Sequence, residues 1–252
     1  MTRLTFSAER NTLDFGLPQA WPELSQDELR LVYREKAAGR ESWHTKTKLV
    51  MLLTGLKVLH NEGDLHRFYC IAPTAQGKVQ CYITDDTMAA LADGLAWIDE
   101  PGSVPVRINE IHGTQAIDAK LHDVPFETYL QAENCFQGIL MNKNEEAVSA
   151  LARLLYPGLT ANLEEWLQLM VVQWWAQAKA MFAELFPHFF HPTEGSAAAS
   201  MMDVMNNEIR ALTGGDVTKE AEILAIDTWR ALTELDAKAK EAEEFNRKIK
   251  KK

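Results

Sequence analysis

Two histidines have the spacing that comes nearest to a metal site. His188 and His191 lie three residues apart in the segment PHFFHP, and a helix would place both imidazoles on one side. Pro187 and Pro192 argue against a regular helix there, and no carboxylate or cysteine follows at a ligand-like spacing. Because a zinc site needs three or four ligands, we interpret both histidines as partly buried loop residues and assign no metal ligand.

No segment of the sequence predicts a nucleophile or a phosphate site. Cys135 lies in a predicted helix without local positive charge, which is typical of a small buried residue. The segment TGGD at 213–216 precedes a helix, but it lacks the spacing of a phosphate-binding loop and Asp216 would repel an anion. We therefore predict no catalytic residue, no cofactor and no metal, and we expect that the protein is not an enzyme.

Charge and composition narrow the classes of function and the cellular compartments that remain open. The chain has 26 Lys and Arg against 36 Asp and Glu, a net charge of −10, which argues against a dedicated nucleic-acid binder but is compatible with one small basic patch. Three cysteines favour reduced thiols in a cytosolic protein. The longest charge-free apolar stretch, Trp166–Ala178, is too short to span a membrane. We expect a cytoplasmic protein without a membrane segment.

Two helices are predicted in the N-terminal part, before a β-rich segment. The sequence Ser25–Glu28 is typical of a capping box that opens a helix. Leucines at helical spacing predict a second helix from Ser42 to about His60. Residues 1–24 are expected to be irregular, with one short strand at Leu4–Phe6.

Two runs rich in β-branched and aromatic residues predict an antiparallel hairpin over about 68–83. A loop with glycine in its third position would place Cys70 opposite Tyr82, whereas a shift of one residue would bring Cys70 and Cys81 together. We expect Val104–Ile111 to supply a third strand.

From Pro125 onward the pattern is helical. Its last predicted helix runs from Thr218 to about Asn246 and has apolar residues at steps of three and four. The predicted fold is α+β and predominantly helical, with a small antiparallel sheet in the N-terminal half. The expected divisions are an α+β lobe at 1–124, a helical lobe packed on it at 125–192, and a C-terminal helical segment at 201–252 after a short linker.

Several segments together carry a resemblance to a known group of proteins. They are LPQAWPELSQDELRLVYR, LADGLAWIDEPGSVPVRIN, LHDVPFETYLQAEN, ALARLLYPG and ALTGGDVTKEAEILAIDTWRALTELDAKAKEAEEFNRK. In this order they resemble a family of poorly characterised proteins encoded in prophages and mobile elements of gut-type bacteria. The resemblance covers most of the chain but transfers no active-site residue, and it implies a role in phage assembly within the bacterial cytoplasm.

The acidic, helical character is similar to that of phage tail assembly chaperones, which bind a long helical protein until the tail forms. We therefore expect a protein–protein interaction with a helical phage protein, through Leu224, Trp229 and Leu235. Packing of these three residues against the protein itself is the alternative. Two other functions stay open: a structural component of the virion, in the neck or at tail completion, and an enzyme of unrecognised type with a pocket near His112 or His188.

Overall fold

The computed structural model describes residues 2–8, 11–74, 77–142, 144–190 and 201–250. The fold is α+β and mostly helical, as predicted. The chain divides into two compact units, Met1–Gly102 and Ser103–Lys252. The three predicted segments, 1–124, 125–192 and 201–252, stay a prediction, and the linker predicted between the last two, residues 193–200, lies outside the described residues.

The first unit contains three helices and five strands in its described part. The helices are α1 (Gln26–Ala37), α2 (Ser42–Thr54) and α3 (Asp85–Asp93), and the strands are β1 (Thr2–Ala8), β2 (Asn11–Leu17), β3 (Lys57–Glu62), β4 (Arg67–Thr74) and β5 (Gly77–Thr84). The capping box of α1 forms as predicted: the Ser25 hydroxyl accepts from the Glu28 amide, and the Glu28 carboxylate accepts from the Ser25 amide. The single short strand expected at Leu4–Phe6 is instead part of the β1–β2 hairpin.

The second helix ends earlier than its leucine spacing predicts. Gly55 adopts a left-handed conformation with φ of 70° directly after Thr54, which ends α2. Residues 57–60, which were predicted to be helical, belong instead to β3, and β3 pairs with β4. Pairing between distant residues thus outweighs the helical period of this segment.

The predicted hairpin forms between β4 and β5, but its register differs from the expected one. Thr74 pairs with Gly77, so Cys70 lies directly opposite Cys81 and not opposite Tyr82. Both thiols are buried and free. The third strand is β3 rather than Val104–Ile111, and the sheet order is β3–β4–β5.

The second unit is helical apart from two very short strands, β6 (Glu110–Ile111) and β7 (Thr114–Gln115), which pair with each other. Its described helices are α4 (Phe126–Asn142), α5 (Glu145–Leu155), α6 (Glu165–Leu185), α7 (Met201–Thr213), α8 (Glu220–Ala225) and α9 (Thr228–Lys250). Helix α6 is central to the core of this unit, because three of its large side chains, Trp174, Trp175 and Phe182, have at most 1% of their surface exposed.

Candidate functional site

The C-terminal segment, which carries the predicted contact residues, contains two helices rather than one. The expected continuous helix from Thr218 to Asn246 is wrong, because α8 ends at Ala225 and α9 begins at Thr228. The residues between them pair with the start of α4: the Ile226 carbonyl accepts from the Phe126 amide, and the Thr228 amide donates to the Val124 carbonyl. These backbone groups cannot also serve a continuous helix, so the chain turns here.

Trp229 fixes the first turn of α9 to the loop before α4. Its indole Nε1 donates to the Lys120 carbonyl at 2.8 Å, and its ring stacks on the His122 imidazole with centroids 4.5 Å apart. The indole also forms T-shaped ring contacts with Phe182 and Phe186 of the core. Trp229 therefore packs against the protein itself, which is the alternative that the sequence left open.

The other two candidate contact residues differ in their burial. Leu224 is half-buried on α8, and Leu235 has 4% of its surface exposed on α9. A partner could reach Leu235 only if α9 left its position. As partner contacts, Leu224, Trp229 and Leu235 stay a prediction.

The buried side of α9 continues beyond Leu235 as an exposed apolar surface. Ala242 and Ile249 follow Leu235 at steps of seven residues, which are about two helical turns, and Phe245 lies between them. Phe245 is 64% exposed and Ile249 is 57% exposed. We call Ala242, Phe245 and Ile249 the α9 strip. It has the side-chain spacing of a helix face that packs against another element, but no described residue covers it.

Helix α9 is held to the segment that follows α6 at Asp236, before this strip, and at Glu243, in the strip's first turn. The Asp236 carboxylate accepts from the amides of His188 and Phe189, at 2.8 and 3.0 Å. The imidazole of His188 lies 3.2 Å from a carboxylate oxygen of Glu243. Up to Glu243 the helix is therefore anchored, and the strip extends from the last anchored turn.

A buried group of polar side chains lies elsewhere in the same unit, between α4, α6 and α7. The Glu133 carboxylate accepts from Lys179 Nζ, from Trp175 Nε1 at 3.3 Å and from Gln137 Nε2 at 2.7 Å. Glu208 of α7 adds a second carboxyl, one of whose oxygens is buried without a hydrogen-bond partner among the described residues. This group was missed from the sequence, since acidic residues on helices usually face solvent.

Burial shifts the pKa values of two side chains in this cluster. Burial, together with the nearby charge of Glu133, raises the pKa of Glu208 to about 8, although Lys179 opposes the rise. Burial and the same carboxylates also raise the pKa of Tyr129. Tyr129, Glu133 and Glu208 lie on helices that pack on each other, and the arrangement is that of a buried structural network.

The histidines and cysteines that the sequence offered for chemistry do not come together in one site. His112 forms an exposed ion pair with Glu164, at 3.6 Å, and His188 binds Glu243, while His191 lies outside the described residues. An open depression of about 450 Å³ between α4, α5 and α7 contains Cys135, where burial raises the pKa of the thiol and so disfavours the nucleophilic thiolate.

Within the described residues, no three His, Cys, Asp or Glu side chains are arranged to hold a metal ion, and none of the helices combines the length and apolar character required to cross a membrane.

Comparison of the chain with protein-family models, with curated proteins and with solved structures finds no match.

Proposed function

We propose that the chain is a non-enzymatic interaction protein of phage assembly, which binds a helical phage protein through the α9 strip. The observation that carries the proposal is the continuity of one helix face, buried at Leu235 and exposed at Phe245 and Ile249. An exposed apolar face on an amphipathic helix is typical of a surface that pairs with a second helix.

The chemistry of the strip defines the partner. A partner helix that covers it needs apolar residues at steps of three and four. Basic residues on the partner would complement Glu241 and Glu244, and acidic residues would complement Arg247 and Lys248 near the end of α9. A tail assembly chaperone binds a long helical protein of this kind, and the resemblance to prophage-encoded proteins supports this role. The net charge of −10 would reduce association between copies of the chain.

The experiment that tests the proposal is affinity capture from the bacterium that encodes the chain, after prophage induction. Proteins in the eluate and in purified phage particles are identified by mass spectrometry. We expect a long helical phage protein in the eluate of the tagged chain, and we expect the chain itself to be absent from the particles.

Two results contradict this role. Finding the chain in particles at a fixed stoichiometry would assign it to the virion, as a neck or tail-completion component. Recovery of no phage protein from induced cells would remove the phage assignment.

A further inference from the structure

The three-stranded sheet of the first unit has one buried face and one exposed face. Side chains alternate between the two faces along each strand. Cys70, Cys81 and Ile83 belong to the buried face, with at most 6% of their surface exposed. The exposed face therefore contains Arg67 and Tyr69 of β4 together with Gln80 and Tyr82 of β5, and Lys78 of β5 and Lys57 of β3 lie at its other end.

Three rings lie in one row across this exposed face. His60 of β3 pairs with Tyr69 of β4, and Tyr69 pairs with Tyr82 of β5. The two tyrosine rings are 5.1 Å apart, and Tyr82 is 43% exposed. Neighbouring strands are about 4.8 Å apart, so the row presents a series of planar groups on which successive bases can stack.

The hydroxyl groups and the guanidinium of this face are fixed by their neighbours. The Tyr69 hydroxyl donates to Gln80 Oε1 at 2.7 Å. The Arg67 guanidinium lies over the Tyr82 ring at 4.0 Å, where Arg67 Nε donates to a Glu62 carboxylate oxygen at 2.6 Å. The flat surfaces are thus held in place before any ligand arrives, which lowers the entropy cost of stacking.

Positive charge lies on the same face of an acidic protein. Lys57 and Lys78 are exposed, and neither forms an ion pair among the described residues. The register places the acidic residue Glu62 on this face, where Glu62 forms an ion pair with Arg67. Aromatic and guanidinium planes beside two free ammonium groups match the bases and the phosphates of a single-stranded nucleic acid.

We propose that the exposed face of the β3–β4–β5 sheet binds single-stranded nucleic acid. Bases stack on Tyr69 and on the Arg67–Tyr82 pair, and phosphates bind Lys57 and Lys78. A duplex would not bind in this way, because its bases are stacked on each other. The net charge of −10 argues against a dedicated nucleic-acid binder but is compatible with one small basic patch, and this surface is such a patch.

The test is fluorescence anisotropy of the full chain with labelled single-stranded dT12 and rU12 and with a 12-base-pair duplex, at 50 mM salt. We expect a dissociation constant of about 1–100 µM for the single strands and weaker binding of the duplex. Two phosphate contacts predict that the logarithm of affinity falls with the logarithm of salt concentration with a slope of about −1.4.

Variants locate the site. Tyr69→Ala is expected to weaken binding about 5- to 150-fold and Tyr69→Phe to retain it, since the ring and not the hydroxyl stacks. Lys57→Glu with Lys78→Glu is expected to weaken binding at 50 mM salt by at least tenfold, because the substitutions remove both phosphate contacts and add two negative charges. The matched control, Arg247→Glu with Lys248→Glu at the basic end of α9, changes the net charge equally and is expected to leave affinity within twofold. Circular dichroism confirms that each variant is folded.

Three results would overturn the proposal. They are equal binding of duplex and single strand, loss of binding in the α9 variant but not in the sheet variant, and displacement of labelled dT12 at a lower concentration of poly-glutamate than of unlabelled dT12, which would indicate a site for acidic peptide. Absence of binding at 50 mM salt with the chain at millimolar concentration would also reject it.

Discussion

Glu208 of α7 buries one carboxyl oxygen beside Glu133 and Tyr129, and its raised pKa makes stability depend on pH. In the folded chain Glu208 keeps its proton up to about pH 8, whereas in the unfolded chain it releases the proton near its ordinary pKa of 4.5. The folded state therefore binds more protons between these values, and this contribution to stability falls as pH rises from about 4.5 to about 8.

We predict that Glu208→Gln removes this fall. Thermal or urea unfolding of both proteins at pH 5, 6, 7 and 8 measures the difference, which should grow with pH in favour of the variant. The exposed Glu222→Gln serves as a control and should follow the wild type. A difference between wild type and Glu208→Gln that is constant across this range would contradict the assignment.

Trp229 is the second residue with a measurable role. Trp229→Ala removes the indole that donates to the Lys120 carbonyl and stacks on His122, and we predict a loss of about 2–3 kcal/mol, less than for a fully buried tryptophan. Trp229→Phe keeps the packing but loses the hydrogen bond, at about 1 kcal/mol. Trp43→Ala, at a residue that is 59% exposed, should change the free energy of unfolding by less than about 0.5 kcal/mol. Equal losses for Trp229→Ala and Trp43→Ala in urea titrations would show that α9 is not docked through this indole.

At the scale of elements, Gly55 separates α2 from β3. Its φ is 70°, and a Cβ added there would lie 3.3 Å from Pro73 Cγ of β4. Gly39, after α1, has a φ of 64° and open space around it. We predict that Gly39→Ala costs about 1 kcal/mol through backbone strain alone, and that Gly55→Ala costs more, about 2 kcal/mol, because it also displaces Pro73. Urea unfolding of both variants measures this order, and the reverse order would contradict the stated contact.

Elements set by neighbouring residues could be predicted from the sequence, and those set by distant pairing could not. The capping box at Ser25 and Glu28 is local, and it forms as expected. Leu59 of strand β3 continues the helical spacing of the leucines before it, but the strand pairs with β4. The break after α8 depends on backbone contacts with residues 124–126. The predicted partner of Cys70 followed from the assumed length of the turn. A turn that is shorter by one residue places Cys70 opposite Cys81 and not opposite Tyr82.

At the scale of the whole molecule, the fold class followed from composition and periodicity, but the site did not. The stripe of Leu224, Trp229 and Leu235 has the spacing of a contact face, and periodicity alone cannot distinguish packing on the protein itself from packing on a partner. Exposure separates the two, because Leu235 is 4% exposed and Phe245 is 64% exposed on the same helix. The boundary after Gly102 likewise depends on contacts between residues distant in sequence.

The central claim is that the α9 strip binds a helical phage protein, and quantitative capture with matched variants tests it most directly. The tagged wild-type chain, Phe245→Ser with Ile249→Ser, and Leu140→Ser with Met141→Ser are compared in induced cells. The last pair removes two exposed apolar side chains from the end of α4 instead of α9.

Burying Phe245 and Ile249 contributes about 1.5–3 kcal/mol each, so the strip variant should recover less than a tenth of the long helical phage protein that the wild type recovers. The α4 variant should recover as much as the wild type. Equal recovery by the strip variant and the wild type would contradict the central claim.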